Sequence, residues 1–356
     1  MAVGFPAKTN FATGDVLTAT NMNDVTGTLN LLESAQYAAG KNKIINGAFD
    51  VWQRGTSFSN PTTTTYTADR FMVEHDGSGA TRTISQQTFT PGAAPVSGYE
   101  AQYYLQYAVT GGTANTFQQV QQRIEDVRTF AGQTVTFSFW AKGDAVRTIQ
   151  ILNNRNFGSG GSTADQSAVG STLNITTSWA RYSVTATLGS VSGKTIGANS
   201  FTTWIMRFAA ATAQTIQIWG VQLEAASIAS PFQTASGTLQ GELALCQRYA
   251  FNPLFSETAL FKPVAIGYST STTSSRIGLT MPVTMRVSPS LTVTPGDFSI
   301  GYSSGANGLL TNLTVETSSP SNTLLTGTTS GLTANVGYTL YRSTAGTTNL
   351  VLSAEL

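Results

Sequence analysis

The sequence predicts a mainly β protein: a short N-terminal helical segment, a central jelly-roll β-sandwich and a C-terminal β-sandwich domain. Three observations predict it. Period-two alternation recurs between turn signals through the middle of the chain, as in Tyr103-Leu105-Tyr107-Val109 interleaved with Tyr104-Gln106-Ala108. Charged residues make up only 10% of the 356 residues, against roughly 25% in an average globular protein, and Ser, Thr, Asn and Gln take their place. Two distant stretches, 42–71 and 218–232, read as the opening and closing strands of one sheet.

Residues 1–41 form the N-terminal segment. Phe5 and Phe11 lie in an extended stretch, and a helix starts near Thr18, whose hydroxyl can cap the free amides of the first turn. Met22, Val25, Leu29 and Leu32 follow at alternating spacings of three and four, the seam of a short coiled coil. Gly27 and the threonines weaken this helix, so it needs partners to persist. The seam packs either on its own domain or in an intersubunit bundle, and we expect the bundle, with a homotrimer as the assembly.

Residues 42–234 read as the jelly roll. Val135, Phe137 and Phe139 alternate with Thr136, Ser138 and Trp140, and Trp204, Met206 and Phe208 with Ile205 and Arg207. Each such run has a face to bury, which suits a two-sheet sandwich. Residues 235–250 form a helical connector with Leu243, Cys246 and Tyr249 on one face. Residues 251–356 read as the second β-domain, with Pro282, Pro289, Pro295 and Pro320 at turns or edges.

Composition narrows the function. A net charge of +1 with scattered Lys and Arg provides no basic stripe for nucleic acid. Cys246 is the only cysteine and His75 the only histidine, so an intrachain disulfide, a cysteine cluster and a paired-histidine zinc site are excluded. His75-Asp76-Gly77-Ser78-Gly79 reads as a strand end entering a turn, not as part of a catalytic triad. No apolar run approaches the ~18 residues of a membrane span, and the N-terminus lacks a signal-peptide pattern. We expect synthesis in a cytoplasm and no membrane insertion.

Several motifs carry a resemblance. Ile45-Asn46-Gly47-Ala48-Phe49-Asp50-Val51-Trp52-Gln53-Arg54-Gly55 with Ala68-Asp69-Arg70-Phe71 resembles the start of a jelly roll in phage tail-fibre and virion-appendage proteins, of the carbohydrate-binding, galactose-binding-like type. Gln122 to Arg128 and Phe137 to Gly143 resemble its middle strands. Trp219-Gly220-Val221-Gln222-Leu223-Glu224, with Leu245-Cys246-Gln247-Arg248-Tyr249, resembles its closing strand and exit helix. Residues 11–19 resemble the particle-attachment segment of such proteins, and Ile277 to Arg286 their downstream β-domain. The resemblance implies a structural virion protein that joins other virion proteins through its N-terminus and contacts host-surface polysaccharide. It also implies a structural calcium near the first and last strands, for which Asn46, Asp50 and Glu224 are the available oxygen donors. No cofactor is otherwise required.

For a sugar groove the candidates are Tyr103, Tyr104 and Tyr107, read as solvent-facing, with Gln119 and Gln121 among the nearby glutamines. Aromatic faces suit the C–H face of a pyranose, and amides match vicinal hydroxyls. Trp52, Trp140 and Trp219 could also stack on sugars, but in alternating strands they read first as core. Asp69 and Arg70 read as structural ion-pair partners. No catalytic residue is assigned. An endoglycosidase would have to draw two carboxylates from Asp50, Asp69, Glu125 and Asp126. A virion connector that binds no receptor is the other alternative.

Overall fold

The computed structural model describes residues 39–77, 79–96, 99–111, 116–255, 259–301, 308–344 and 350–356. The expected seam of Met22, Val25, Leu29 and Leu32 lies outside the described residues. Within them the protein is mainly β, with antiparallel sheets forming two sandwiches and one short α-helix.

The first sandwich uses β1 (Ser57–Ser59), β2 (Thr65–Tyr66), β3 (Phe71–His75), β4 (Ala80–Thr88), β5 (Tyr103–Gly111), β6 (Gln118–Glu125) and β7 (Thr134–Gly143). It continues with β8 (Arg147–Asn156), β9 (Asp165–Ala168), β10 (Leu173–Ile175), β11 (Ala180–Thr187), β12 (Phe201–Phe208) and β13 (Gln214–Glu224). One sheet runs β1-β4-β5-β13-β7-β11. The other runs β10-β8-β12-β6-β3-β2, with β9 paired to β8. Strands distant in sequence become neighbours, so the core draws one parity from each. Leu105, Tyr107, Val109, Ile216, Ile218, Phe137 and Phe139 meet Val73, Val120, Ile149, Ile151, Trp204, Met206 and Phe208. Burying such side chains contributes roughly 1.5–3 kcal/mol each, and this offsets the ordering of long, non-local strands.

Helix α1 (Leu239–Gln247) follows, capped by the Thr238 hydroxyl, which accepts from the Gly241 amide at 3.0 Å. The second sandwich comprises β14 (Ala250–Phe251), β15 (Pro263–Ser269), β16 (Ser274–Thr280), β17 (Ser290–Val293), β18 (Phe298–Gly301), β19 (Gly308–Leu309), β20 (Asn312–Ser318), β21 (Asn322–Thr328), β22 (Gly337–Arg342) and β23 (Leu350–Ser353). Sheet β14-β23-β17 faces sheet β19-β18-β22-β15-β16-β21-β20 across a core that includes Ile277, Leu325, Leu340, Phe298 and Leu352.

The two motif stretches that open and close the jelly roll meet directly. The Lys43 amide donates to Leu223 O (3.0 Å), the Val221 amide to Gly47 O (2.9 Å), and the Leu223 amide to Asn42 Oδ1 (3.0 Å). Strand β13 bulges between Trp219 and Gln222, with Gly220 at φ +65°, and the bulge makes room for this approach. At Gly47 there is no room to spare: a Cβ would stand 2.1 Å from Val221 O.

The sandwiches join through buried charge. Asp69 Oδ1 accepts from the Gln53 amide at 2.9 Å, and Gln53 Nε2 donates onward to Ala250 O at 2.7 Å. Asn252 Nδ2 returns a hydrogen bond to Gln53 O at 2.8 Å. Arg54 reaches both Asp69 (3.7 Å) and Glu355 (3.1 Å), and Arg70 pairs with the same Glu355. The Arg70 guanidinium lies 3.4 Å from the Tyr249 ring centre. The Glu125 carboxylate accepts two 3.0 Å bonds from Arg248 and one of 2.5 Å from Tyr249 Oη. Although burial pushes the other way, these partners hold Glu125 below the ordinary glutamate value.

Gly47→Ala is expected to destabilise the protein by about 3 kcal/mol or more in denaturant titration, because the obstacle is backbone. Gly278→Ala, whose Cβ would meet nothing within 4 Å, should be near neutral. Glu355→Gln leaves Arg54 and Arg70 under-compensated in a dry joint and is expected to cost about 3–5 kcal/mol, read in the same titration.

Candidate functional site

The outward face of sheet β10-β8-β12-β6-β3-β2 carries a polar groove. Its construction follows from parity. On β6, Val120 points into the core, so Gln119, Gln121 and Arg123 point out. Pairing places Glu74, Gln119, Arg207 and Gln150 in one row across β3, β6, β12 and β8. The next rows hold Met72, Gln121, Ile205 and Leu152, then Arg123, Thr203, Asn154 and Gln166. A depression of about 200 Å³ lies over these rows, flanked by Phe117 and Phe201.

The groove floor is internally hydrogen-bonded. Arg207 Nε donates to Gln119 Oε1 (2.9 Å), and Gln119 Nε2 donates to Glu74 Oε2 (2.7 Å) and to Gln121 Oε1 (3.3 Å). Gln121 Nε2 donates to the same Glu74 oxygen at 3.2 Å. Gln119 and Gln121 are only 2% and 3% exposed, so these bonds hold them in fixed rotamers. Burial holds the Arg207 guanidinium below its ordinary value, against the pull of Glu74 and Asp76. Guanidinium groups lie over both flanking rings, Arg207 at 5.5 Å from Phe117 and Arg123 at 4.8 Å from Phe201. Asn154 Oδ1 is buried without a hydrogen-bond partner among the described residues. The lining therefore presents fixed amides, one carboxylate and two guanidinium groups, with the buried Asn154 Oδ1 unpartnered beside them.

The sequence-derived sugar candidates separate in space. Gln119 and Gln121 stand together in the groove. Tyr104 packs on the opposite sheet against Phe89 (4.7 Å) and Trp179 (5.4 Å). Tyr103 accepts from Gln102 Nε2 at 2.8 Å and lines a different cavity. Tyr107 is not solvent-facing: it is fully buried, 5.0 Å from Phe208. The parity that buries Leu105 and Val109 buries Tyr107 with them. Burial pushes its hydroxyl up to about 12. Trp52, Trp140 and Trp219 are core residues, Trp140 and Trp219 within an aromatic cluster with Phe89 and Phe232.

The three calcium candidates do not share one space. Asn46 donates to Val51 O (2.8 Å) and Asp69 O (3.1 Å). Glu224 is salt-bridged to Lys41 (3.0 Å) and accepts from Ser230 Oγ (2.7 Å) and Gln222 Nε2 (2.7 Å). Asp50 faces the cavity lined by Tyr103. Among the described residues, no group of three or more His, Cys, Asp or Glu could hold a metal ion. The carboxylates considered for glycoside hydrolysis are likewise dispersed. Asp69 and Glu125 sit in the joint, Asp126 pairs with Arg128 (3.0 Å), and Asp50 stands apart.

Sequence reasoning missed Glu74, Arg207, Asn154, Phe117 and Phe201. A usable signal was present in the outward parity of β6, β8 and β12, where Gln, Asn, Arg and Phe replace the Thr and Ser of other strands.

No family model matches the chain, and no curated protein matches it. Among solved structures, the chain is similar to the enzymatically active domain of tailspike protein 4 from bacteriophage CBA120, at 12% identity and a TM-score of 0.31. That match covers 52% of this chain and 21% of the tailspike chain, about a fifth of its length. The family 11 carbohydrate-binding module of Clostridium thermocellum, in complex with a β-1,3-1,4-mixed-linked tetrasaccharide, matches at 11% identity and a TM-score of 0.31, over 48% of this chain and 96% of that one. TmCBM61 in complex with β-1,4-galactotriose matches at 11% identity and a TM-score of 0.30, over 52% and 99%. The sandwich assignment itself rests on this chain's own sheet order and core.

Burial, reinforced by Glu242, pushes Asp50 up to about 6 from 3.8. The folded state then holds a proton that the unfolded state releases between those values, so this group's contribution falls as pH rises through that window. Asp50→Asn is expected to raise stability by about 2 kcal/mol near pH 7, with the gain vanishing below about pH 4, as measured by denaturation across pH.

Proposed function

We propose that this chain is a structural and adhesive protein of a phage particle that binds neutral host-surface glycan along the β3-β6-β12-β8 groove. The observation that carries the reading is the hydrogen-bonded floor of Glu74, Gln119, Gln121 and Arg207 beside the unpartnered acceptor of Asn154. A sugar offers vicinal hydroxyls that both donate and accept, and fixed amides answer both without the entropy loss of ordering side chains on binding. The Phe117 and Phe201 edges supply apolar contact for ring C–H groups. The particle context is supported by the resemblance of the INGAFDVWQRG, ADRF and LCQRY segments to virion-appendage jelly rolls.

The same reading assigns binding without bond cleavage. The groove holds one carboxylate, Glu74, among its lining side chains, whereas glycoside hydrolysis by the common mechanisms uses two. A single shallow site of this kind binds weakly. In a homotrimer, repeated copies raise the effective affinity through local concentration.

A glycan array followed by affinity electrophoresis tests the reading. The full chain is expected to retain a neutral polysaccharide. Asn154→Ala and Gln121→Ala should each weaken retention about tenfold, a loss of roughly 1.4 kcal/mol. Tyr104→Ala, on the opposite sheet, should leave it unchanged. Absence of retention on every glycan would return the receptor-free connector, and release of oligosaccharides would return the endoglycosidase.

A further inference from the structure

A larger cavity, of about 570 Å³, lies away from the groove, between the opening motif, the segment before β5 and helix α1. Its walls are Tyr99, Tyr103, Leu239, Leu243 and Phe255, largely apolar. Asp50 faces into it, and no hydrogen bond or ion pair within the described residues reaches its carboxylate. Glu100 stands at the rim, where it accepts from the Gly92 amide at 2.6 Å. Glu242 of α1 lies behind, buried, accepting from the Asn46 amide (2.7 Å) and the Ser236 amide (2.6 Å). No lysine or arginine lines the cavity among the described residues. A carboxylate in an apolar cavity with further acids around it and no cation is short of one positive charge.

We propose that this cavity receives a lysine or arginine side chain of another protein chain, its cationic head on Asp50 and its aliphatic stem along Leu239, Leu243 and Phe255. The wall of Leu239, Leu243 and Phe255 suits an aliphatic stem, and the acceptors of Asp50, Glu100 and Gln102 suit a cationic head. A four-carbon stem buries favourably on those walls. The exposed Leu239, 64% accessible at the mouth, gives the incoming chain an apolar contact beside the cavity. An acid with a high affinity for protons also explains how the cavity behaves empty: burial, with Glu242, pushes Asp50 up to about 6, so a proton substitutes in part for the missing cation. Tyr99 responds to the same surroundings, its hydroxyl pushed up to about 12 by burial and then by Asp50 and Glu242.

The test uses the full chain and N-acetyl-lysine methylamide as probe, followed by chemical-shift titration of the Leu239 and Leu243 methyl groups. The probe is expected to bind, and its Nζ-acetylated form, which lacks the charge, to bind at least about tenfold more weakly. Asp50→Asn should lose about tenfold as well, with its fold checked by thermal unfolding, where it should be no less stable than the parent. Affinity should fall as pH drops through about 6, since protonation neutralises Asp50 while Glu100 and Glu242 remain the other acids facing it. Equal binding of the acetylated probe, unchanged affinity in a folded Asp50→Asn protein, or binding of glucosamine in preference to the lysine probe would each overturn the proposal. Glycan retention by the groove is read separately and should be unaffected by Asp50→Asn.

Discussion

Four charges buried between the sandwiches set the terms for the rest of the molecule. Arg54, Asp69, Arg70 and Glu355 are nearly inaccessible, and each would be costly to bury alone. Burial pushes Asp69 up and Arg54 and Arg70 down, each toward neutrality; it is opposed at Asp69 by Arg54, Gln53 and Arg70, at Arg54 by Asp69 and Tyr66, and at Arg70 by Tyr249 and Tyr66. Pairing of that quality needs the donors of one sandwich and the acceptor of the other in fixed positions. Arg70 is held there at φ +71°, a backbone conformation that a side chain of its size adopts only when its surroundings enforce it. The relative placement of the sandwiches is thus a requirement of charge compensation.

The joint also reaches the groove. Arg123, at the groove's end, donates to Leu356 O, and the Arg123 carbonyl accepts from Arg70 at 2.5 Å. One residue therefore stacks over Phe201 on the outer sheet face while its backbone is fastened to the charged core. A groove whose end is fixed in this way keeps its shape when empty, which reduces the ordering cost of filling it.

The mainly β class and the core were legible in the sequence because parity is local: two residues along a strand decide which side is buried. The framework role of Asp69 and Arg70 was legible for another reason: an adjacent acid and base in a turn can lock it, and both are buried. Tyr107 shows the cost of ignoring parity, for Leu105 and Val109 on its own strand already placed it inside. The groove was largely illegible. Gln119 meets Glu74 on one side and Arg207 on the other, and those neighbours follow from the order β3-β6-β12, which no local pattern encodes. Asp50 was visible as an acid in a motif, yet its isolation from Asn46 and Glu224 depends on how the bulge in β13 receives residues 42–47.

The segment between β4 and β5 covers part of the outer face of its own sheet. Phe89, Ala94, Val96 and Tyr99 fold back over β13 and β7 and enclose Trp140, Trp219 and Phe232 in a second apolar cluster. That closure removes from solvent the indoles that would have made the obvious sugar platform. On the β3-β6-β12-β8 face, Glu74, Arg123, Asn154 and Arg207 stay partly exposed in the depression flanked by Phe117 and Phe201. The same closure sets Tyr99 with one side against Trp219 and Phe232, at 5.4 and 5.6 Å, and another toward Asp50. A single stretch of chain thus covers one surface and, in covering it, builds the wall of the acidic cavity.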